Sequence, residues 1–199
     1  MASKITLILG GARSGKSTFA EQLALTYGNP VTYLATADIC DREMEERVRI
    51  HKERRPADWT TWEGAPEKLP EAIRGMKGTL ILDCLTMWLT RLMFATNAAE
   101  SGDEHIWQAR ELEIRALTEQ LCLSAGDETE LIIVSNEVGY GIVPENRLAR
   151  RFRDMQGRMN QLCGKYADEV ALIVAGCPIW AKRNNSEISE YTTQRKSWK

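Results

Sequence analysis

The chain has 199 residues, of which 43% are hydrophobic and 27% charged, and its formal net charge is −2. This balance is typical of a globular domain with a real core, and it excludes a disordered, collagen-like or disulfide-dense chain. The near-neutral charge argues against a general nucleic-acid-binding protein, because such proteins carry a basic excess or a basic face.

Short apolar runs alternate with helical patterns along the chain. The apolar runs predict strands at residues 5–9, 31–36, 79–83, 130–135 and 170–175. Apolar spacing and the stop signals at Gly28 and Pro56 predict helices at residues 17–27, 41–55, 85–94, 106–124 and 144–166. Pro144 is expected to open the last helix, at an early position that proline favours. The polar residues 97–104 predict an exposed loop.

Apolar strands that alternate with helices predict an α/β fold with a mostly parallel sheet and helices on both faces. We expect a single domain over residues 1–181 and a polar C-terminal extension over residues 182–199, where no apolar period is present. No stretch approaches the roughly 20 apolar residues of a membrane span, so we expect no membrane span.

The five cysteines lie singly in the sequence, with no C-x-x-C pair and no paired Cys/His spacing. This arrangement fits neither a zinc site nor a disulfide framework. We interpret all five as small buried residues in a reducing compartment and expect a cytoplasmic protein.

The most informative motif follows the first predicted strand. Its residues match G-x-x-x-x-G-K-[ST], a phosphate-binding loop, and are Gly10, Gly11, Ala12, Arg13, Ser14, Gly15, Lys16 and Ser17. The glycines let successive backbone N–H groups turn toward phosphate oxygens at the start of a helix. In this pattern Lys16 reaches the β- and γ-phosphates and the Ser17 hydroxyl ligates Mg²⁺. The sequence therefore predicts a site for a nucleoside triphosphate with magnesium.

A carboxylate, Asp83, ends the third predicted strand. An acid in this place commonly supports the magnesium ion, directly or through water. The alternative is that Asp83 caps the helix that follows, a role that aspartate often takes. The two roles are compatible with each other.

The chain has two histidines. His105 lies in a polar segment, and we expect it at the surface. His51 lies near the end of a predicted helix that is dense in Arg and Lys. A neutral imidazole is a competent nucleophile toward phosphorus near pH 7, and surrounding cations would keep it unprotonated while holding phosphates. A solvated basic helix face is the alternative for this segment.

Further motifs occur in order along the chain. They include Ala35-Thr36-Ala37, Arg47-x-x-x-His51-Lys52-x-x-Arg55-Pro56, Leu82-Asp83-Cys84-Leu85-Thr86, Val134-Ser135-Asn136-Glu137-Val138-Gly139 and Ile142-Val143-Pro144-Glu145-Asn146-Arg147. Together with the phosphate loop, this set resembles the bifunctional adenosylcobinamide kinase / adenosylcobinamide-phosphate guanylyltransferase family of cobalamin biosynthesis. The resemblance covers residues 5–181 and implies a P-loop NTPase-like fold.

The resemblance implies two reactions. In the first, ATP or GTP phosphorylates the aminopropanol hydroxyl of adenosylcobinamide. In the second, GTP donates GMP to that phosphate through a guanylylated histidine, which gives adenosylcobinamide-GDP and pyrophosphate. The family's histidine falls on His51. The resemblance also implies a homotrimer with the corrinoid bound near the subunit boundaries.

The resemblance further implies nucleotide contacts outside the phosphate loop. They map to Ala35, Thr36, Ala37, Lys52, Glu53, Arg54, Arg55, Glu63 and Asp83. A carboxylate at Glu63 is able to accept the N1–H and N2–H of guanine, and a surface acid in a loop is the alternative. Lys16 and Mg²⁺ would neutralise the pyrophosphate that leaves when a nucleophile attacks the α-phosphorus.

Two other functions are compatible with a phosphate loop. A one-step small-molecule kinase would transfer only the γ-phosphate and would need no histidine nucleophile. A regulatory GTP-binding switch would need an N-K-x-D motif, which the sequence lacks, and the D-x-x-G match at Asp154 lies inside a predicted helix. The arginines of that helix, from Arg147 to Arg158, are compatible with a substrate phosphate, a neighbouring subunit or a solvated face paired with Glu145 and Asp154.

Overall fold

The computed structural model describes residues 4–28, 30–38 and 42–183, and of Glu43, Met44, Arg47 and His51 it describes the backbone alone. Seven strands in this part of the chain form one sheet: β1 (Lys4–Gly10), β2 (Val31–Ala35), β3 (Thr60–Trp62), β4 (Gly78–Asp83), β5 (Thr129–Asn136), β6 (Glu169–Val174) and β7 (Cys177–Lys182). Their order across the sheet is β3-β2-β4-β5-β1-β6-β7. Neighbouring strands are parallel, except that β6 and β7 are antiparallel.

Helices cover both faces of this sheet, as predicted. They are α1 (Lys16–Tyr27), α2 (Arg42–Arg54), α3 (Leu69–Ile73), α4 (Leu85–Phe94), α5 (Glu104–Leu123) and α6 (Arg147–Tyr166), with 3-10 turns at Pro66–Lys68 and Asn97–Ala99. Successive strand residues point to opposite faces, so Leu82 packs with α3 to α6 while Ile81 packs with α1. The carboxyl ends of the parallel strands meet at one edge, where ligands of α/β proteins bind.

The five predicted strands are confirmed to within one residue at each end. The predicted start of the last helix is wrong, because α6 begins at Arg147 and not at Pro144. The side chain of Asn146 caps the helix there, accepting the Ala149 N–H at 3.0 Å. The carbonyl of Pro144 lies outside the helix and accepts a hydrogen bond from Arg150.

The antiparallel strand β7 was not predicted. Ala175 and Gly176 connect β6 to β7 with positive φ values of 50° and 78°, and Val174 pairs with Cys177 across the turn. Positive φ at both central residues is the type I′ geometry that turns a chain back on itself. This turn contacts the phosphate loop, because the Gly176 N–H donates to the Ser14 carbonyl at 2.9 Å.

The cysteines only partly match the expectation that all are buried. Cys122 and Cys163 are buried side by side, with their sulfur atoms 3.9 Å apart. Cys177 is exposed on the edge strand β7, so the prediction is wrong for this residue. Cys40 lies outside the described residues, as do residues 184–199 of the predicted extension. Among the helices that the structure describes, none has the length and apolar character to cross a membrane.

Candidate nucleotide-binding site

The phosphate loop joins β1 to α1 at the carboxyl edge of the sheet, and its backbone requires two glycines. A Cβ on Gly10 would lie 2.7 Å from the Ile173 carbonyl oxygen. Gly15 has φ 97°, a conformation that L-residues rarely adopt, and a Cβ there would lie 3.2 Å from Gly176 Cα. The loop therefore passes too close to β6 and to the β6–β7 turn for larger residues.

Lys16 is the buried cation of the loop, with 7% of its surface exposed. Its Nζ donates to the Gly11 carbonyl at 2.6 Å and so reaches back across the loop. Burial lowers the pKa of Lys16, and the neighbouring Cys84 and Asp83 oppose that shift. An ammonium group at a helix N-terminus, close to backbone N–H groups, makes a site for an anion such as a phosphate.

Asp83 lies at the end of β4, where the Tyr33 hydroxyl donates to its Oδ2 at 2.8 Å. Burial, reinforced by Asp83, raises the pKa of Tyr33, so the phenol stays protonated and donates. The guanidinium of Arg55 lies 3.2 Å from the centroid of the Tyr33 ring. The N-cap position of α4 is occupied by Cys84, whose side chain makes no capping hydrogen bond. The alternative that Asp83 caps this helix is therefore wrong.

The end of β2 lies beside Asp83, because Ala35 pairs with Asp83 in the parallel ladder. The next residue, Thr36, is buried and its hydroxyl donates to the Cys84 carbonyl at 2.8 Å. This bond ties the segment of Ala35, Thr36 and Ala37 to the turn that follows Asp83. The structure thus brings these three predicted residues to the same edge as the phosphate loop.

Helix α2 is attached to α1 through Arg54. The Arg54 guanidinium donates to Thr18 Oγ1 at 3.0 Å and to Glu21 Oε2 at 2.6 Å, and both partners lie on α1. The backbone position of His51 is three residues before Arg54, and residues three apart share one side of a helix. The side chain of His51 lies outside what the structure describes.

Of three further predicted residues, Lys52 and Glu63 lie together, whereas Glu53 does not join them. Lys52 Nζ lies 3.2 Å from Glu63 Oε1, which follows β3, and both side chains are exposed. Glu53 instead pairs with Arg49 of its own helix. Arg13, in the phosphate loop, is exposed and has φ 56°.

Sequence reasoning missed Tyr33 as a member of this site. Tyr33 is 4% exposed and lies two residues before Ala35 in β2. Because strand side chains alternate with a period of two, Tyr33 and Ala35 share the face that holds Asp83. That period is a signal that the sequence carries, although the contacts to Asp83 and Arg55 join residues far apart in the chain.

The arginines of α6 mostly join parts of the fold. Arg151 is 7% exposed and donates to the carbonyls of Ala99 and Ser101, so a solvated face is wrong for this residue. Arg158 pairs with Glu111 on α5. The D-x-x-G match at Asp154 lies inside α6, as predicted, and not after a strand.

The oxygen donors at this edge suit magnesium. Within residues 4–28, 30–38 and 42–183, no group of three or more His, Cys, Asp or Glu side chains is arranged to hold a metal ion. Ser17, in the first turn of α1, and Asp83 offer a hydroxyl and a carboxylate. Mg²⁺ commonly takes one or two protein oxygens and completes its octahedron with substrate phosphates and water, so this donor set fits the ion.

A parallel α/β sheet whose first strand leads through a glycine-rich loop to a buried lysine on a helix defines a P-loop nucleoside-triphosphate-binding protein. The sequence profile of one family matches residues 6–180. The chain belongs to this family, cobinamide kinase / cobinamide phosphate guanyltransferase.

The chain is similar to named proteins over nearly their whole length. It is 39% identical to the bifunctional adenosylcobalamin biosynthesis protein CobU of Escherichia coli, over 88% of this chain and 98% of that protein. It is 41% identical to the protein of the same name from Salmonella typhimurium, again over 88% and 98%. The family match over residues 6–180 includes both the phosphate loop and α6.

The solved structures support the fold. An ATPase from the type III secretion system of pathogenic bacteria superposes with a TM-score of 0.55 at 13% identity. The likeness covers 85% of this chain, which spans half the length of that ATPase. At this identity the likeness shows the P-loop α/β fold alone.

Proposed function

We propose that the protein is a bifunctional transferase of cobalamin biosynthesis. It phosphorylates adenosylcobinamide with ATP or GTP, and it then transfers GMP from GTP to adenosylcobinamide phosphate. The observation that supports this best is the meeting of the phosphate loop, Asp83 and the end of β2 at one edge, in a chain that matches the family over residues 6–180. One triphosphate cradle there would serve both transfers.

The second transfer proceeds through His51. Its imidazole nitrogen bonds to the α-phosphorus of GTP while the bond from that phosphorus to the α–β bridging oxygen breaks, and pyrophosphate leaves. A phosphate oxygen of the corrinoid then attacks the same phosphorus and releases the imidazole. Lys16 would neutralise the departing pyrophosphate, and two moderate barriers replace one high barrier. Arg54 attaches α2 to α1, the helix that follows the phosphate loop. This attachment supports a position of residue 51 near the bound triphosphate.

Ser17 and Asp83 would hold Mg²⁺ together with the nucleotide phosphates. When bound, the ion neutralises phosphate charge and fixes the triphosphate geometry. The Tyr33 hydroxyl orients Asp83, and Arg55 stacks on the same ring.

We expect Tyr33→Phe to raise the Mg²⁺ concentration needed for half-maximal activity by about tenfold, because the variant loses a hydrogen bond to a carboxylate. Activity titrated against Mg²⁺ at saturating GTP measures this shift. Tyr166→Phe is the matched control, since the Tyr166 hydroxyl also donates to a carboxylate, that of Glu119 on α5, outside the site. A Tyr33→Phe enzyme with an unchanged Mg²⁺ requirement would show that the hydroxyl does not act through the metal.

The homotrimer is supported by an apolar segment beyond the end of β5. Tyr140, Ile142 and Val143 are 84%, 96% and 61% exposed, and exposed apolar patches commonly mark contact surfaces. The mass in solution tests this assembly, with three chains of 22.5 kDa each expected.

GTP labelled at either the α- or the γ-phosphate tests the two transfers. With adenosylcobinamide present, the γ-label is expected on the corrinoid first. The α-label is expected on the protein as an acid-labile adduct and then on the corrinoid product. A one-step kinase would transfer the γ-label alone, so absence of protein-bound α-label in active enzyme defeats the guanylyltransferase half of the proposal.

A further inference from the structure

Strand β5 runs two residues beyond its neighbour β4. Asp83, the last residue of β4, pairs with Val134, whereas β5 continues to Asn136, which pairs with Gly10 of β1. The Glu137 N–H donates to the Gly10 carbonyl at 3.0 Å, so the backbone groups of Glu137 face β1. Alternate residues of a parallel strand bond to opposite neighbours. The N–H and carbonyl of Asn136 therefore face the side where β4 has already ended.

Side chains replace the missing strand at this position. Thr86 Oγ1 accepts the Asn136 N–H at 3.0 Å, and Asn160 Nδ2 donates to the Asn136 carbonyl at 3.1 Å. Thr86 comes from α4 and Asn160 from α6, so two helices fix one backbone unit. These contacts let β5 extend beside the phosphate loop without unpaired backbone groups.

A buried polar network holds Asn160 in place. Asn160 Oδ1 accepts from Ser135 Oγ at 2.6 Å and from Gln156 Nε2 at 3.0 Å, and Gln156 Nε2 also donates to Ser135 Oγ. Ser135 and Gln156 are fully buried in an otherwise apolar core. Burying polar side chains is costly unless they are hydrogen-bonded. Gln156 Oε1 has no partner among the described residues, whereas the remaining bonds hold Asn160, which donates to the Asn136 carbonyl.

The side chain of Asn136 faces the nucleotide site. Asn136 lies two residues after Val134, which packs on the α1 face of the sheet, and a period of two places both on that face. Because β5 lies between β1 and β4, its tip stands between the phosphate loop and Asp83. The carboxamide of Asn136 forms no hydrogen bond to any residue in the described part of the chain.

We propose that the Asn136 carboxamide donates a hydrogen bond to the terminal phosphate of the bound nucleotide and stabilises the phosphoryl group during its transfer. In that step the acceptor oxygen bonds to the γ-phosphorus while the bond to the β–γ bridging oxygen breaks. The nucleoside diphosphate leaves, and the hydroxyl proton passes to water. The transfer step rests on the proposed function, whereas the contact to a terminal phosphate is measurable in nucleotide binding alone.

The test compares calorimetric dissociation constants, without adenosylcobinamide, for GDP and for a GTP analogue whose α- and β-phosphorus atoms are joined by a methylene group, which His51 cannot cleave. In Asn136→Ala, affinity for the analogue is expected to fall about tenfold, while affinity for GDP stays within about twofold, because only the analogue carries the contacted phosphate. Asn136→Asp is expected to lose more, since its carboxylate repels the phosphate. The rate of γ-phosphate transfer to adenosylcobinamide is expected to fall about a hundredfold in Asn136→Ala.

Gln161→Ala, at an exposed amide of α6, is the control and should match the wild type in both affinities. Thermal unfolding of each variant establishes that it is folded. Equal loss of both affinities, or no loss of either, overturns the role of Asn136. Loss restricted to the analogue supports that role even where no label reaches adenosylcobinamide, a result that would overturn the proposed function alone.

Discussion

Replacing His51 with alanine is expected to abolish the protein-bound α-label from GTP while leaving γ-phosphate transfer within about threefold of the wild type. The reason is chemical, because the phosphoramidate forms on the imidazole, whereas the kinase step needs no protein nucleophile. Arg54 attaches α2 to α1 through hydrogen bonds to Thr18 and Glu21, and this substitution leaves both partners in place. Acid-labile label on the separated protein is the measurement.

The chain supplies its own matched control for this experiment. His105 is the second of its two histidines, is exposed at the start of α5 and lies outside the predicted site. His105→Ala should therefore keep the full α-label. An adduct of undiminished yield on His51→Ala would assign the nucleophile to another residue and remove the mechanism proposed for the second transfer.

The strands and the phosphate loop were predictable because their signals are local. An apolar run such as residues 79–83 has to be buried on both faces, and the loop pattern specifies its own backbone through Gly10 and Gly15. The place of Asp83 at the end of β4 was also predictable, because the apolar run that predicts this strand ends at the acid. These features need no knowledge of which strand lies beside which.

The remaining features depend on contacts between distant segments. Tyr33 becomes part of the site only because β2 pairs with β4 and brings its hydroxyl to Asp83. Gln156 and Asn160 of α6 form hydrogen bonds to Ser135 and Asn136 of β5. These bonds exist only because α6 packs against the end of that strand. Strand β7 contains no buried residue, and the turn before it carries Ala at a positive φ, so no apolar run or turn motif predicted it.

Lys16→Met is expected to reduce both transfers by about a thousandfold, because it removes the cation at the centre of the loop and keeps a side chain of similar length. Lys16 lies at a helix N-terminus beside backbone N–H groups, and Asp83 is close enough to interact with it electrostatically. Its ammonium would contact the β- and γ-phosphates in either reaction. Initial rates of γ-label and α-label transfer from GTP measure the two losses separately.

The fold itself should survive this substitution. Burial lowers the pKa of Lys16, because a buried ammonium group has lost its hydration. This loss destabilises the folded state, and the uncharged thioether of methionine does not carry it. We therefore expect the free energy of unfolding of Lys16→Met to equal or exceed that of the wild type in urea. Lys68→Met is the control, because Lys68 is exposed, pairs with the exposed Glu71 and lies outside the site.

The pattern of loss in Lys16→Met decides whether one nucleotide site or two are present. Kinase and guanylyltransferase rates that fall together place both triphosphates in the loop between β1 and α1. A variant that lost γ-phosphate transfer but retained the histidine adduct would require a second GTP site, separate from the phosphate loop. Joint loss in Lys16→Met, set beside loss of the α-label alone in His51→Ala, would separate the cradle that both reactions share from the nucleophile that only one reaction uses.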